Sequence, residues 1–417
     1  MAQLRAKELP APANPLWRGE AYRHQKIRLA YISTDYRDHV LSSAMVGCFE
    51  HHDKARFEIT AISLGPDDGS EMRRRVEAAF DSFIDVQAMS DAQVAKTLRE
   101  LETDIVIDQN GYSGNGRPGI LSFRPAPVQV SYLGYPGTMA APFIDYIIAD
   151  RMLISEENRK FYSEQVVYLP YTYLPTDNKR SIAEITPSRT EAGLPETGFV
   201  FVCNNNAHKI GPEMFDIWMG LLQAVEGSIL WLKVLSPSAM INLRREAKMR
   251  GISPERLVFA PHLRDTGDHL ARLRLADLFL DTLHYNAHAT ASDALWAGLP
   301  VLTCLGNSFP AGVAAGVLHA IGLHELVTKS LADYKERALT LTRDPEQLAA
   351  IRGKLARNRN TKPLFDTARF TRDLEAAYTV MWERTRRGEP PESFAAASHG
   401  ISHGCTSTAV SIKSPAN

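Results

Sequence analysis

The sequence predicts an α/β protein built from two doubly wound lobes. Three observations carry this. Short apolar runs alternate with amphipathic segments from Lys26 to Leu169, as parallel strands do when helices cover both sheet faces. Residues 171–197 break the pattern with prolines and polar residues, which suits an interdomain segment. From Phe199 the same alternation restarts. The expected division is a lead-in or linker at 1–25, a first lobe at 26–170, an interdomain segment at 171–197, a second lobe with C-terminal helices at 198–388, and a disordered tail at 389–417.

Pro10, Pro12 and Pro15 make the lead-in poor material for regular structure. Lys26–Ser33 (KIRLAYIS) reads as the first strand, and Leu41–His51 as the helix after it. Phe57–Leu64, Phe83–Val86 and Ile105–Asp108 follow as strands, separated by helices at Glu71–Phe80 and Asp91–Leu101. The Arg73–Arg75 run on the first of these reads as solvated surface. Val128–Leu133, Phe143–Ala149 and Val166–Leu169 complete the first set of strands, with the tight turn GYPGT at 134–138 between two of them. In the second half the expected strands are Phe199–Cys203, Ile229–Leu235, Leu257–Ala260, Leu278–Asp281 and Val301–Thr303. The expected helices are Pro212–Ala224, Ala239–Arg250, His269–Ala276, one opened by Ala289, Thr290 and Ser292, then Ala314–Ile321, Leu331–Thr342, Pro345–Asn358 and Thr367–Arg387. The last carries Phe370, Leu374, Ala377, Tyr378, Met381 and Trp382 on one stripe, a packing face.

A chain of 417 residues has room for two to three domains. The net charge of −1 offers no electrostatic case for nucleic acid or an anionic membrane, and no apolar run is long enough to span a bilayer. Cys48, Cys203, Cys304 and Cys405 are scattered, so neither a disulfide framework nor a zinc site is indicated. A cytoplasmic location is the expectation. GxGxxG is missing after the first strand, where STDYRDH stands, which counts against a nicotinamide enzyme. Neither a Walker A sequence nor an Asp-x-Asp pair to hold a metal against a diphosphate is present.

The chemistry concentrates in the second half. In LADLFLDTLHYNAHATASDALWAGLPVLT (275–303) a strand runs through a polar turn into a helix start. Free N–H groups there, backed by the helix dipole, favour a phosphate. His288 and Thr290 are further candidate donors, and Asp293, one turn on, can accept from ribose hydroxyls. An equally good account makes Thr290 and Ser292 caps and Asp293 a dipole partner. Asn204–Asn206 and Lys209 also follow a strand; the lysine offers a point charge to a diphosphate, and the asparagines offer side-chain donors or simply shape a turn. The 262–268 loop with His269 can border a flat base. In the first half the candidates are His39, Asn110-Gly111-Tyr112 and the GYPGT turn, where Gly134 and Gly137 allow close approach of a ligand.

The signatures RPAPVQVSYLGYPGT (124–138), DYIIAD (145–150), HKI (208–210), residues 275–303 and PLFDTARFTRDLEAAYTVMW (363–382) resemble the catalytic region of the O-linked N-acetylglucosamine transferase and SPINDLY family. The resemblance covers about residues 20–387. It implies the GT-B architecture, two Rossmann-like lobes facing a cleft that holds a sugar nucleotide. It also implies transfer of N-acetylglucosamine from UDP-GlcNAc to Ser or Thr of a protein acceptor, with inversion and no metal. On that pattern Lys209, His288, Ala289 and Thr290 bind the diphosphate and Asn206 sits near it. Asp293 holds the ribose, and His269 borders the base. His39 lies at the sugar end, as a candidate base, and Gly134, Pro136 and Gly137 line the sugar and acceptor side. Lys209 and His39 are the expected catalytic pair.

The chain departs from the pattern at Ser43 (usually a second histidine), Ala289 (usually threonine), Asn307 (usually Glu), Gly312 (usually Arg) and His208 (often an aromatic). Losing one hydroxyl bond to a charged group at Ala289 costs about 1.5–3 kcal/mol, about tenfold or more in binding. The TPR repeats that usually precede this region and choose substrates are not found in the chain. Either a separate TPR-containing protein supplies them or the acceptor is a different one. Two alternatives stay open: another donor sugar, such as GDP-fucose in the SPINDLY branch, and a non-catalytic member that binds a nucleotide or a protein.

Overall fold

A computed structural model describes residues 2–9, 15–233 and 236–398. In chain order the elements are α1 (Ala2–Glu8), β1 (Ile27–Ser33), α2 (Val40–His51), β2 (Phe57–Ser63), α3 (Glu71–Ala79), β3 (Ser82–Asp85), α4 (Asp91–Glu100), β4 (Ile105–Asp108), α5 (Gly119–Ser122), β5 (Val128–Ser131), β6 (Tyr146–Ala149) and β7 (Gln165–Tyr168). After the interdomain segment come β8 (Val200–Cys203), α6 (Pro212–Ala224), β9 (Ile229–Lys233), α7 (Pro237–Met249), β10 (Leu257–Ala260), α8 (Thr266–Arg272), β11 (Leu278–Leu280), α9 (Ala289–Trp296), β12 (Val301–Cys304), α10 (Val313–Ala320), β13 (Val327–Thr328), α11 (Leu331–Arg343), α12 (Pro345–Asn358), α13 (Thr367–Arg386) and β14 (Phe394–Ala395).

The strands form two sheets. One is eight-stranded in the order β14-β7-β6-β5-β4-β1-β2-β3; the other is six-stranded, β10-β9-β8-β11-β12-β13. The pairings are parallel, for example Leu29 with Ile59 and Ile105, and Cys203 with Leu232. Strands such as β1, β4 and β8 are buried on both faces, which is why they read as apolar runs rather than alternations. In each sheet the strand order reverses beside β1 or β8, so a crevice opens at the carboxyl ends there. Local chemistry sets the helix starts. Ser90 and Gln93 form a capping box on α4, and Ser70, Ser236, Ser330, Asp344 and Asp366 each accept a backbone N–H of the first turn.

Several expectations are corrected. The lead-in contains the α1 helix, and Arg5 of α1 donates to the Tyr112 carbonyl. The α8 helix starts at Thr266, not His269, because Asp265 caps it through the Asp268 N–H. The apolar pattern gave no sign of the short α5, β13 and β14. Residues 389–398, expected in the disordered tail, include β14, which pairs with β7; the rest of that tail and Cys405 lie outside the described residues, as does the end of the strand expected to reach Leu235. The C-terminal helix was expected to stay with the second lobe. Instead α13 packs on α2 of the first: Tyr378 Oη lies 3.2 Å from Tyr31 Oη, and Glu375 Oε1 lies 2.9 Å from His52 Nδ1. Its stripe from Phe370 to Met381 is buried, as a packing face should be. Gly312 also has a structural reason, since a Cβ there would meet the Met152 carbonyl at 2.6 Å. Any side chain at that position requires the Met152 backbone or the turn before α10 to shift.

Candidate functional site

Between the lobes lies a cavity of about 830 Å³, within the range of small-molecule sites. Its wall comes from loops just beyond strand carboxyl ends: Thr34–Asp35 after β1, Leu64–Gly65 after β2, Leu133–Gly134 after β5, Asn204–Asn206 after β8, Lys233 ending β9, and Tyr285–Thr290 after β11. His39, Gly134, Asn206, Lys209, His288, Ala289 and Thr290, named from the sequence, share this wall. His269, Asp293, Pro136 and Gly137 stand outside it.

Lys209 projects from a short helical turn at 207–209. Its Nζ donates to the Asn286 carbonyl at 3.1 Å and sits 3.9 Å from the centre of the Tyr285 ring. Among the described residues no carboxylate pairs with it. Burial lowers its pKa to about 8, and buried Asp281 pulls the other way. It is a cation short of counter-charge, facing a cavity.

Close to it, α9 begins at Ala289, three residues beyond the Asn286 that accepts from Lys209, with His288 as the residue before the helix. Among the described residues the N–H groups of Ala289 and Thr290 donate to no protein acceptor; the next two, of Ala291 and Ser292, turn back to the His288 carbonyl. Helix starts with such free N–H pairs can receive an anion. Asp281 builds the turn leading to it. Its buried carboxylate accepts from the N–H groups of Thr282 and Ala287, from Asn205 Nδ2 and from Thr303 Oγ1. Burial raises its pKa to about 6 in spite of those bonds.

The side chains at this helix start differ from expectation. Thr290 was expected to offer its hydroxyl to phosphate. That hydroxyl donates instead to Asn205 Oδ1 at 2.8 Å. Asn205 is buried and gives its amide hydrogens to Asp281 and Thr282, so it is a clamp between loops rather than a ligand donor. Asn206, exposed on the cavity wall, keeps the role of available donor. His288 was also expected as a donor. Its Nε2 lies 3.3 Å from the Pro310 carbonyl, which can only accept, so Nε2 carries the proton and Nδ1 offers a lone pair. Burial, then nearby Lys209, lowers its pKa to about 3, so the ring is neutral and stacks on Tyr285 with centroids 4.8 Å apart.

Asp293, expected free for a ribose, is held by Arg180: Nη1 to Oδ1 is 2.6 Å. Burial raises its pKa, with Arg180 as the main opposing charge. His269 accepts from Arg272 Nη2 at 3.1 Å through Nδ1, leaving an Nε2–H donor; burial lowers its pKa to about 4. Lys233 acts electrostatically on both Asp293 and His269, so the two lie near the stretch of cavity wall that Lys233 forms.

On the first lobe His39 is the N-cap of α2, its Nδ1 accepting from the Leu41 N–H at 3.2 Å. The proton of the neutral ring is then on Nε2, so in this arrangement His39 donates. Asp35 Oδ1 lies 3.8 Å from Nδ1, and burial lowers the His39 pKa with Asp35 opposing. Gly134 is required by packing, since a Cβ there would sit 1.9 Å from the Gln109 carbonyl oxygen. Leu133 beside it has φ of 78°, a left-handed conformation that a leucine adopts only under constraint. Pro136 and Gly137 belong to a turn that packs on the Asn110–Ser113 loop, with Tyr135 and Tyr112 edge to face. Sequence reasoning missed Asp35, Arg37, Tyr285 and Lys233. Asp35 and Arg37 lie in the STDYRDH stretch, whose position after the first strand was the available signal. Nothing local marked Lys233.

The model of Glycosyl transferase family 41 matches residues 16–187 and 176–374. Among curated relatives, a protein of Arabidopsis thaliana described as probable UDP-N-acetylglucosamine–peptide N-acetylglucosaminyltransferase SEC is 35% identical over 89% of this chain and 38% of its own length. A tomato (Solanum lycopersicum) relative of the same description, SPINDLY, is 29% identical over 91% of this chain and 41% of its own. The chain thus spans about two fifths of the length of these relatives. A lysine-to-methionine variant of the Thermobaculum terrenum O-GlcNAc transferase superposes with a TM-score of 0.85 at 30% identity, covering 93% of this chain and 74% of that one. The Anabaena protein HepE, solved with UDP and glucose, shares the fold alone, with a TM-score of 0.57 at 13% identity over 85% of this chain and 100% of that one. Two parallel-sheet lobes facing a cleft are the GT-B architecture, and with the family match spanning both lobes this chain belongs to glycosyl transferase family 41.

Proposed function

We propose that the chain transfers N-acetylglucosamine from UDP-GlcNAc to Ser or Thr hydroxyls of proteins, with inversion, without a metal ion, and in the cytoplasm. The printed activities of the family relatives support the donor and the peptide acceptor. The observation that carries the reading is the pairing of an ammonium lacking an ionic partner among the described residues, Lys209, with two unused N–H groups at the start of α9 on the wall of one cavity. The acceptor oxygen attacks the anomeric carbon, the bond from that carbon to the β-phosphate oxygen breaks, and UDP departs. Negative charge grows on the leaving phosphate, where Lys209 and the Ala289 and Thr290 N–H groups balance it. Asn206 adds a side-chain donor near the phosphates, Asp293 takes the ribose, and the His269 Nε2–H meets a carbonyl of the base. His288 offers its bare Nδ1 to an O–H or N–H of the donor. Gly134, Pro136 and Gly137 border the acceptor side. His39 in its capping tautomer donates to the sugar. To take the acceptor proton it must give up the Leu41 bond and turn Nδ1–H to Asp35; a donor phosphate oxygen or a water relay is the alternative base.

Among the described residues no helix is long and apolar enough to cross a membrane. The test is transfer of radiolabel from UDP-GlcNAc to a panel of Ser/Thr peptides and to cell extract, with GDP-fucose in parallel. Lys209→Met should cut transfer about 100-fold or more with the melting temperature unchanged. Transfer from GDP-fucose alone would replace the donor, and nucleotide binding with no transfer from either would reject the enzyme.

A further inference from the structure

Arg180 lies in the interdomain segment and has been given no part in the reaction so far, yet both its backbone and its side chain are tied to α9. Its Nη1 donates to Asp293 Oδ1 at 2.6 Å, and Nη2 to Ser292 Oγ at 3.3 Å. Its guanidinium carbon is 5.5 Å from the centre of the Trp296 ring, and the Trp296 indole N–H donates back to the Arg180 carbonyl at 3.2 Å. The segment is anchored on the other side too. Arg180 Nε donates to the Asp177 carbonyl, and the Asp177 carboxylate accepts from Arg75 of α3 at 2.6 and 3.1 Å. A short strap therefore runs from a first-lobe helix to the helix whose start forms the anion site.

This strap determines what Asp293 can do. One carboxylate oxygen is taken by Arg180. Among the described residues the other accepts no protein hydrogen bond, and the side chain keeps 23% of its surface exposed. We propose that Arg180 is a positioning residue that holds Asp293 in one orientation, so that its second oxygen receives a ribose hydroxyl and the site selects ribonucleoside over deoxyribonucleoside diphosphates. This rests on the sugar-nucleotide reading above and adds to it the residue that sets sugar selectivity. A carboxylate free to rotate spreads its acceptor over many directions; pinned on one side, it presents a fixed one. Burial alone favours the protonated acid at Asp293, and the neighbouring guanidinium counters it.

The test measures calorimetric Kd values for UDP and 2′,3′-dideoxy-UDP on wild type, Arg180→Met, Arg180→Lys, Asp293→Asn and the Arg180→Met/Asp293→Asn pair. Wild type should prefer UDP by about tenfold or more, the worth of a hydrogen bond to a charged group. Arg180→Met should lose most of that preference while binding dideoxy-UDP within about twofold of wild type, and Arg180→Lys should keep part of it. The double variant should be no worse than Asp293→Asn. A purely structural Arg180 would weaken both nucleotides equally, so equal weakening overturns the proposal, as does a preference unchanged in Arg180→Met or additive losses in the pair. If wild type binds no UDP, the sugar-nucleotide reading fails and this proposal fails with it. If it binds UDP and Arg180→Met discriminates normally, this proposal alone fails.

Discussion

Replacing Thr290 by valine separates two jobs that a hydroxyl at a helix start can do. Here the hydroxyl donates to Asn205 Oδ1 at 2.8 Å, and no other donor to that oxygen is seen among the described residues. Asn205 is 3% exposed and its amide hydrogens are fixed on Asp281 and Thr282, so the oxygen gains no other protein partner in exchange. Stranding a buried carbonyl oxygen costs about 1–3 kcal/mol, or about 2–12 °C in melting temperature for lobes of this size. The phosphate site, in contrast, depends on the Thr290 N–H, which valine keeps. Calorimetry should find UDP bound within about threefold of wild type, while thermal unfolding shows the stability loss. Thr290→Ser, which retains the hydroxyl, should recover most of that loss. The reasoning is refuted if Thr290→Val melts like wild type and binds UDP about tenfold or more weakly, the outcome for a hydroxyl aimed at a phosphate.

Three further predictions concern charge and packing. With its pKa near 8, Lys209 is charged below that pH and neutral above it in the free protein, so UDP affinity should fall as pH rises from 7 to 9; a flat titration would dismiss the lysine as the anion partner. Asp281 has a pKa of about 6 against an ordinary 3.8, so the folded chain holds this proton more tightly than the unfolded one. That stabilisation is full below about pH 4 and lost above about pH 6, and Asp281→Asn, although less stable, should show a flatter dependence of stability on pH across that window. Gly134→Ala should cost about 1–3 kcal/mol or more because of the collision with the Gln109 carbonyl; urea unfolding indistinguishable from wild type would mean that the turn gives way.

The alternation of strands and helices was readable because each element depends on residues a few positions apart. Apolar runs such as 105–108, caps such as Ser90 with Gln93, and the helix start after a strand at 278–290 are all local. The lysine and the helix N-terminus could be named for the same reason: a strand followed by a polar turn puts its residues at a carboxyl edge wherever the strand lies in the sheet. Hydrogen-bond partners are not local. Thr290 meets Asn205, Asp293 meets Arg180, and α13 crosses to α2, contacts that join segments about a hundred or several hundred residues apart. Whether a hydroxyl faces a ligand or a neighbouring loop depends on which loop folding brings within 3 Å, and no period or motif encodes that. The architecture and the candidate residues were therefore legible in the chain, whereas the direction of each donor, the clamp at Asn205 and the hold of Arg180 on Asp293 arose only when segments far apart in the chain packed against one another.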